Sequence, residues 1–572
     1  MLNPYFLPAR AVALLLLAPL APALAQAPVL INIAPAANAV AAPRNGGVVA
    51  SFSQPLTAAS AGALRVFSSQ RGGLRGGGAA TVVGANVGFF PTAYDFRPGE
   101  TVQLTVTTAA ASAGGALAAP RVQQFTTAVG GTGTGRFAPG TEVAVGVEPN
   151  SVAVGDLDND GDLDLLTGNR GTGTVSVRLN NGTGTFGGGQ SLAVASAALG
   201  LVLGDVDGDG DLDLLSSSTT GNVVSVRLNN GSGTFGGGAD VPAGAGPQAL
   251  ALGDVDGDGD LDFVATNRDV DSVSVRFNNG SGSFGGRRGV GVGNGPQGVA
   301  LSDVDNDGDL DLLATNLLAG TVSVRLNNGR GTFGGGQEVP TGGQPFGIAV
   351  GDVDGDGDAD LLAVSYLFNG IVSVRLNNGS GTFGGTQSVA VPSYPPTVVL
   401  GDVDHDGDLD LLTADSGNST ASVRLNDGTG TFAGGADVPV GDVASGPSTP
   451  SAVALADVDG DGDLDLLAAN TTTAGTVSVR LNNSAGPLAT AAGRAPAALT
   501  AYPNPAGHGP ATGRVALTLP PAATRAELLD PLGRVVRVVP APAGTATLDV
   551  AGLAPGLYVV RAAGQVARLV VE

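Results

Sequence analysis

Residues 205–213 read DVDGDGDLD, which puts five carboxylates into nine consecutive positions. A segment so charged repels itself unless something neutralises it. The chain nevertheless carries the motif seven times: DLDNDGDLD from Asp156, DVDGDGDLD from Asp205 and again from Asp254, DVDNDGDLD from Asp303, DVDGDGDAD from Asp352, DVDHDGDLD from Asp402 and DVDGDGDLD from Asp457. Successive copies begin 49, 49, 49, 49, 50 and 55 residues apart. A fixed period near fifty marks a repeat architecture, in which each unit completes its core against its neighbours.

Most of one period, residues 247–287, reads PQALALGDVDGDGDLDFVATNRDVDSVSVRFNNGSGSFGGR. It divides into four short strands: ALALGD before the acidic motif, LDFVATN after it, SVSVRFN third, and SFGG onward fourth. Asn-Gly between the third and fourth predicts a tight hairpin, because both residues tolerate positive φ. Four strands repeated seven times predict an all-β fold, a seven-bladed β-propeller. A stacked solenoid is the alternative, although fifty residues is long for one coil. The third strand recurs at Val175, Val224, Val273, Val322, Val372, Ala421 and Val477. The phenylalanine of the fourth recurs at Phe137, Phe186, Phe235, Phe284, Phe333, Phe383 and Phe432. Phe137 precedes the first acidic motif and nothing similar follows the last third strand, so residues 136–146 are expected to complete blade seven and close the ring. Closure removes an exposed strand edge.

Hard divalent cations, calcium above all, accept about six to eight oxygens at about 2.3–2.6 Å, roughly what such a turn offers. In D-x-D-x-D-G-x-x-D, positions 1, 3 and 5 are expected to turn inward, and Gly at 6 to permit a backbone reversal. Position 7 would offer its carbonyl and position 9 a further carboxylate. Position 4 is Asn, Gly, Gly, Asn, Gly, His and Gly in order, as suits positive φ. The candidate metal residues are Asp156, Asp158, Asp160, Asp162 and Asp164 in loop one, and Asp205, Asp207, Asp209, Asp211 and Asp213 in loop two. Loop three has Asp254, Asp256, Asp258, Asp260 and Asp262; loop four has Asp303, Asp305, Asp307, Asp309 and Asp311. Loop five has Asp352, Asp354, Asp356, Asp358 and Asp360; loop six has Asp402, Asp404, Asp406, Asp408 and Asp410; loop seven has Asp457, Asp459, Asp461, Asp463 and Asp465. An EF-hand would need Glu at position 12 between helices. Here position 12 is Thr, Ser or Ala between strands, so the motif is not an EF-hand.

The acidic motif followed by GTFGGG resembles FG-GAP and VCBS repeats, including those of integrin alpha-subunit propellers. Carried over by position, the resemblance implies that loop one holds calcium through the Asp156, Asp158, Asp160 and Asp164 side chains and the Asp162 carbonyl. The other six loops match at each of these positions. The one departure, Ala359 for Leu at position 8, does not touch the ion. About seven structural calcium ions are expected.

The remaining composition excludes several chemistries. The chain has 572 residues, enough for several domains, with no Cys and with all 27 of its basic residues Arg. Without Cys there are no disulfides, thiolate metal sites or Cys nucleophiles. Without Lys there is neither a Schiff base nor a Walker-type phosphate loop. A formal charge of -24 argues against nucleic acid as a partner. Thirty-five of the 45 aspartates lie in the seven loops, so the charge belongs to those loops. The two histidines are scattered: His405 fills position 4 of loop six and reads as a tolerated turn residue, while His508 lies far away. General acid–base and nucleophilic machinery is hard to assemble from this set, and no catalytic residue is assigned.

The ends of the chain carry different signals. MLNPYFLPARAVALLLLAPLAPALA has Arg10 before an apolar run and Ala23-Leu24-Ala25 before Gln26, the pattern of a signal peptide over residues 1–25. The run is short and broken by Pro19 and Pro22, which argues against a membrane anchor. Residues 26–129 alternate β-rich runs with Gly and Pro turns, as a small β-sandwich does. ASFSQPL, YDFRPGETVQLTV and QFTTA resemble bacterial Ig-like domains. GGTGTG at 130–135 reads as a flexible joint between this domain and the propeller of residues 130–485. A Pro/Ala-rich linker over 486–498 leads to residues 499–572, whose strands predict a C-terminal sandwich. There Tyr502-Pro503-Asn504-Pro505, then LLDPLGRVV, then LAPGLYVVR resemble the sorting domain of the bacterial type IX secretion system. That resemblance implies contact with the type IX machinery and export to the surface of a Gram-negative cell.

These readings together predict a secreted or surface-bound monomer without a membrane span, acting as an adhesion module for a glycan or protein ligand. A polysaccharide-degrading propeller lyase and a purely structural surface protein are the alternatives. Loops joining strands two to three and four to one should lie on the face opposite the acidic loops. There Phe346, Tyr366, Phe368 and Tyr394 form the candidate ligand sector, with Tyr366 and Tyr394 expected close together, although packing between blades is the competing role for such residues.

Overall fold

The segment after each acidic motif, such as Asp213–Ser218 (DLLSSS), is a run of apolar and small residues without alternation, which suits a strand buried on both faces. Every residue of it is buried, and the same holds at the corresponding strand of the other six repeats. The computed structural model describes residues 26–75, 80–91, 94–441, 448–472 and 474–482. In the C-terminal segment it describes 500–502, 514–518, 525–529, 534–540, 545–550, 553, 556–562 and 565–571.

Each of the first six repeats is one antiparallel sheet with its strands in sequence order. In the second repeat these are Ala198–Gly204, Asp213–Ser218, Val223–Asn229 and an outer edge formed by Phe235–Gly236 and Asp240–Pro242. The acidic loop joins strands one and two, and the pair Gly204 and Asp213 closes it. Among the described residues a seventh sheet follows these six, its outer strand supplied from before the first repeat. The first strand of each packs on the first strand of the next, and that of sheet one packs on that of sheet seven, giving a propeller-like ring. Close approach at the centre requires small residues: a Cβ on Gly200 would lie 2.6 Å from the Gln248 carbonyl oxygen of the next sheet. The outer strand of sheet seven is Thr141–Ala144, paired with Thr476–Arg480.

The turn between strands three and four departs from the tight hairpin expected. Asn180 pairs with Phe186, so residues 181–185 form the connection. Gly182 and Gly184 take positive φ, and Asn181 instead accepts the Thr183 amide with its side chain at 3.2 Å. An Asx turn has replaced the left-handed asparagine.

Residues 26–129 form a four-stranded sheet (Leu30–Ala34, Val48–Phe52, Asn86–Phe89, Thr81–Val83) and a three-stranded one (Leu64–Ser68, Thr101–Val106, Arg121–Thr126). Their shared core contains Val48, Phe52, Val66, Phe89, Leu104 and Phe125. This domain and the ring form one compact unit ending at Ala485. Phe67 packs into the apolar cluster of sheets two and three, and Val122 into that of sheets three and four. The expectation of a flexible joint at 130–135 is corrected: Gly130 donates its amide to Gly462 O at 3.1 Å and Gly135 to Val403 O at 2.8 Å, which ties the glycine run to loops seven and six.

The second compact unit, Gly486–Glu572, contains a three-stranded sheet of Thr500–Tyr502, Arg514–Thr518 and Thr545–Asp549 and a four-stranded sheet over 525–571. Leu517, Leu528, Leu548, Val560 and Leu569 form its core. The signal-peptide reading, the linker at 486–498, His508, Pro503 to Pro505 and parts of the two later sorting motifs lie outside the described residues. Among the described residues no helix is long and apolar enough to cross a membrane.

Candidate functional site

Each acidic loop folds by turning its own amides onto its carboxylates. In loop two, Asp205 Oδ1 accepts the Gly208 amide at 2.7 Å and Oδ2 the Gly210 amide at 2.9 Å. Asp207 accepts from Asp209 N at 3.3 Å and Asp209 from Asp211 N at 2.9 Å. The last aspartate joins the loop to the sheet, since Asp213 accepts the amides of Val206 at 3.0 Å and Asn229 at 2.8 Å. Position 6 is glycine at a φ between 92° and 101° in all seven loops, a conformation a side chain disfavours. Position 4 also has positive φ throughout, including Asn159, Asn306 and His405.

The result gathers the expected carboxylates. Oxygens of Asp156, Asp158 and Asp164 lie within 4.8 Å of one another, and so do those of positions 1, 3 and 9 in loops two, three and four. In loop five the group is Asp352, Asp354 and Asp356, and two further groups occur. Burial pushes the position-9 carboxyls far above their usual range: to about 7 for Asp164, Asp360 and Asp410, about 8 for Asp213, Asp311 and Asp465, and about 9 for Asp262. Neighbouring loop aspartates push the same way, against hydrogen bonds from backbone amides. Burial so placed favours the neutral carboxyl, and a cation bound among these groups would restore the charged form. Oδ1 of Asp156, Asp256, Asp303 and Asp404 is buried without a hydrogen-bond partner, so unused ligand atoms remain at these loops. An all-oxygen donor set with unused atoms fits a hard divalent ion.

In three loops the position-7 side chain is engaged elsewhere. Asp211 accepts from Asn159 Nδ2 and Asp358 from Asn306 Nδ2, both at 2.8 Å, so position 4 of one loop reaches position 7 of the next. His405 also lies between two loops, with Nε2 3.1 Å from Asp463 Oδ1 and Nδ1 3.1 Å from Gly133 O. The reading of His405 as a merely tolerated turn residue is therefore corrected: it links loops six and seven and the glycine run. Sequence reasoning also passed over the first asparagine of each Asn-Asn or Asn-Asp pair. Asn180, Asn229, Asn278, Asn327, Asn377, Asn426 and Asn482 each donate to the position-2 carbonyl of the preceding sheet's loop, at 2.7–2.8 Å. Their presence in all seven repeats was the available signal. The arginine two positions earlier braces neighbouring sheets, as Arg375 Nε does with Pro340 O at 3.1 Å and Arg480 Nε with Pro439 O at 3.0 Å.

The aromatic residues come together at the connections from strand two to three and from strand four to the next strand one. Phe346 and Tyr366 have ring centroids 5.4 Å apart, Tyr366 and Tyr394 5.5 Å, and Phe368 and Tyr394 6.2 Å. Tyr394 donates its amide to Leu367 O at 2.7 Å while holding φ at 55°, a backbone state uncommon for a bulky residue. Phe346 is half-buried, whereas Tyr366 is 37 %, Phe368 71 % and Tyr394 40 % exposed. Val270 and Leu318, on the corresponding loops of sheets three and four, are also exposed apolar residues. Single residues in small loops gave no pattern by which to find them.

Residues 156–216, 205–265, 254–314, 303–363 and 402–468 match an FG-GAP-like repeat, and residues 25–127 match the bacterial Ig-like domain Big_5. The chain thus carries FG-GAP-like repeats behind a bacterial Ig-like domain. None of the curated proteins matches it. Among solved structures it is similar to a crystal structure of BBS1N in complex with ARL6DN (12 % identity, TM-score 0.43, covering 61 % of this chain and 98 % of that one). It is also similar to an Agrocybe aegerita lectin described as recognising non-reducing terminal N-acetylglucosamine (20 % identity, TM-score 0.37, covering 67 % and 92 %). A third is a functionally unknown protein from Desulfotomaculum acetoxidans DSM 771 (13 % identity, TM-score 0.38, covering 70 % and 98 %).

Proposed function

We propose that the chain is an exported, calcium-stabilised seven-bladed β-propeller that binds an extracellular glycan or protein ligand and performs no catalysis. In each loop the side chains at positions 1, 3, 5 and 9 and the carbonyl at position 7 would hold the metal. Calcium held there would supply the positive charge that offsets the clustered carboxylates, and the loop would then brace the junction between strands one and two. The residues 499–572 would serve as a type IX sorting domain, taking the protein to the outer surface.

The observation that carries the binding reading is the aromatic sector. Phe346, Tyr366, Phe368 and Tyr394 meet in one sector of the ring, with three of them exposed, with Leu318 on the adjoining sheet four and with Val270 on sheet three beyond it. Exposed aromatic rings beside polar tips suit stacking on sugar rings or anchoring a peptide. A glycan-array screen of the calcium-loaded protein, repeated with Tyr366→Ala, Phe368→Ala and Tyr394→Ala combined, tests it. Binding should be lost in the triple variant at wild-type calcium content and melting temperature. Unaltered binding, or a collapse of stability, removes this sector as the site.

A further inference from the structure

The acidic loops do not simply face solvent, because the N-terminal domain sits against them and meets four consecutive loops at their first carboxylates. Arg71 Nε lies 2.9 Å from Asp156 Oδ2, and the Asp156 amide donates to Gln70 O at 2.7 Å. Asp205 Oδ2 accepts the Leu74 amide at 3.0 Å, and Asp254 Oδ2 the Thr105 hydroxyl at 2.8 Å. Arg121 Nη2 is 3.5 Å from Asp303 Oδ2, and the Val122 amide donates to Gly308 O at 2.7 Å. All four aspartates are 2 % exposed or less.

Loops one and four differ from loops two and three at position 4. Where position 4 is glycine, its amide occupies Oδ1 of the first aspartate, as Gly208 does for Asp205 and Gly257 for Asp254. Where position 4 is Asn159 or Asn306, the side chain reaches into the next loop, and Oδ1 of Asp156 and Asp303 is left buried without a partner. These are also the two loops held by arginine. Each of these aspartates therefore has one oxygen engaged by the N-terminal domain and one unused, in a carboxylate grouped with Asp158 and Asp164 or with Asp305 and Asp311.

We propose that Asp156 and Asp303 are shared: Oδ2 holds the arginine of the N-terminal domain while Oδ1 takes the divalent ion of its own loop. Metal loading of loops one and four and seating of the N-terminal domain then support each other. One guanidinium cannot neutralise five loop carboxylates, so without the ion the loop repels itself and its first aspartate is no longer held in place for arginine. With the ion bound, the aspartate is fixed between two cations that its own charge keeps from repelling each other. Coupling of this kind is reciprocal, so weakening the domain contact must weaken metal binding by the same factor. The inference rests on the calcium reading above.

Hydrogen exchange of the full chain, with calcium and after chelation, tests it beside calorimetric calcium titration. Chelation should raise exchange at the interdomain amides of Leu74, Val122 and Asp156 by about five-fold or more. Arg71→Gln with Arg121→Gln should raise it with calcium present and weaken two of the calcium sites by a similar factor, while Arg71→Lys with Arg121→Lys restores part of both. Calcium binding with unchanged protection of these amides after chelation overturns the coupling alone. Absence of any calcium binding overturns the coupling and the calcium reading together. The chelation arm uses the unaltered protein, so it decides even if the variants do not fold.

Discussion

Glu100 is fully buried in the N-terminal domain, where its Oε2 accepts the Arg97 amide at 2.8 Å. Burial pushes its carboxyl up to about 7, against hydrogen bonds from Ser68 and Arg97 and the charges of Arg75 and Arg97. A folded-state value above the unfolded one means stability that is full below about 4.5 and is lost as pH rises through about 7. Glu100→Gln keeps an acceptor for Arg97 and carries no charge. Its melting temperature should therefore gain on the wild type as pH is raised across that window; a difference independent of pH would show that burial does not control this group. The residue scale also shows what a sequence discloses. The aspartates of each loop were legible because nine adjacent residues contain the whole turn and its glycine. The partnership of Asp156 with Arg71 was not, because it depends on how two domains meet, which no local pattern encodes.

At the scale of elements, the ring is held by bonds that run between sheets. The four-strand repeat was readable from its period, and the pairing of Thr141–Ala144 with Thr476–Arg480 follows the surplus of one strand at the front and its lack at the back. The role of the asparagines was masked by turn chemistry, since Asn-Gly read as a hairpin accounts for both asparagines at once. Only the second belongs to the turn. Asn278, 6 % exposed, donates to Val206 O at 2.7 Å and accepts the Asn279 amide at 2.9 Å, so its side chain fastens sheet three to loop two. Asn278→Ala removes both bonds, while Val206 O keeps the Gly282 amide at 2.7 Å, and should cost about 1–3 kcal/mol in chemical denaturation. Ser281, whose hydroxyl bonds Asn279 on the exposed turn, is the control, and Ser281→Ala should stay within about 0.5 kcal/mol. Equal effects of the two substitutions would mean that the bond between sheets adds nothing.

At the scale of the molecule, the chain contains two compact units, of which one carries the acidic loops. All seven acidic loops and the N-terminal domain lie in the unit ending at Ala485. The unit from Gly486 onward has its own core, built from Leu517, Leu528, Leu548, Val560 and Leu569, and contains none of the acidic repeats. A ligand that binds only a folded state raises that state's stability by mass action and leaves a unit without the site unchanged. Calorimetry of the full chain should accordingly resolve two transitions. Adding calcium at about ten times a dissociation constant in the range of about 10⁻⁴–10⁻³ M should raise the larger one by several degrees, and chelation should lower it, while the smaller stays in place. The N-terminal domain should melt within the larger transition, because its Phe67 and Val122 are built into the cores of the ring. A third, calcium-independent transition assignable to residues 26–129 would separate that domain from the ring, and a larger transition indifferent to calcium would leave the seven aspartate loops without their cation.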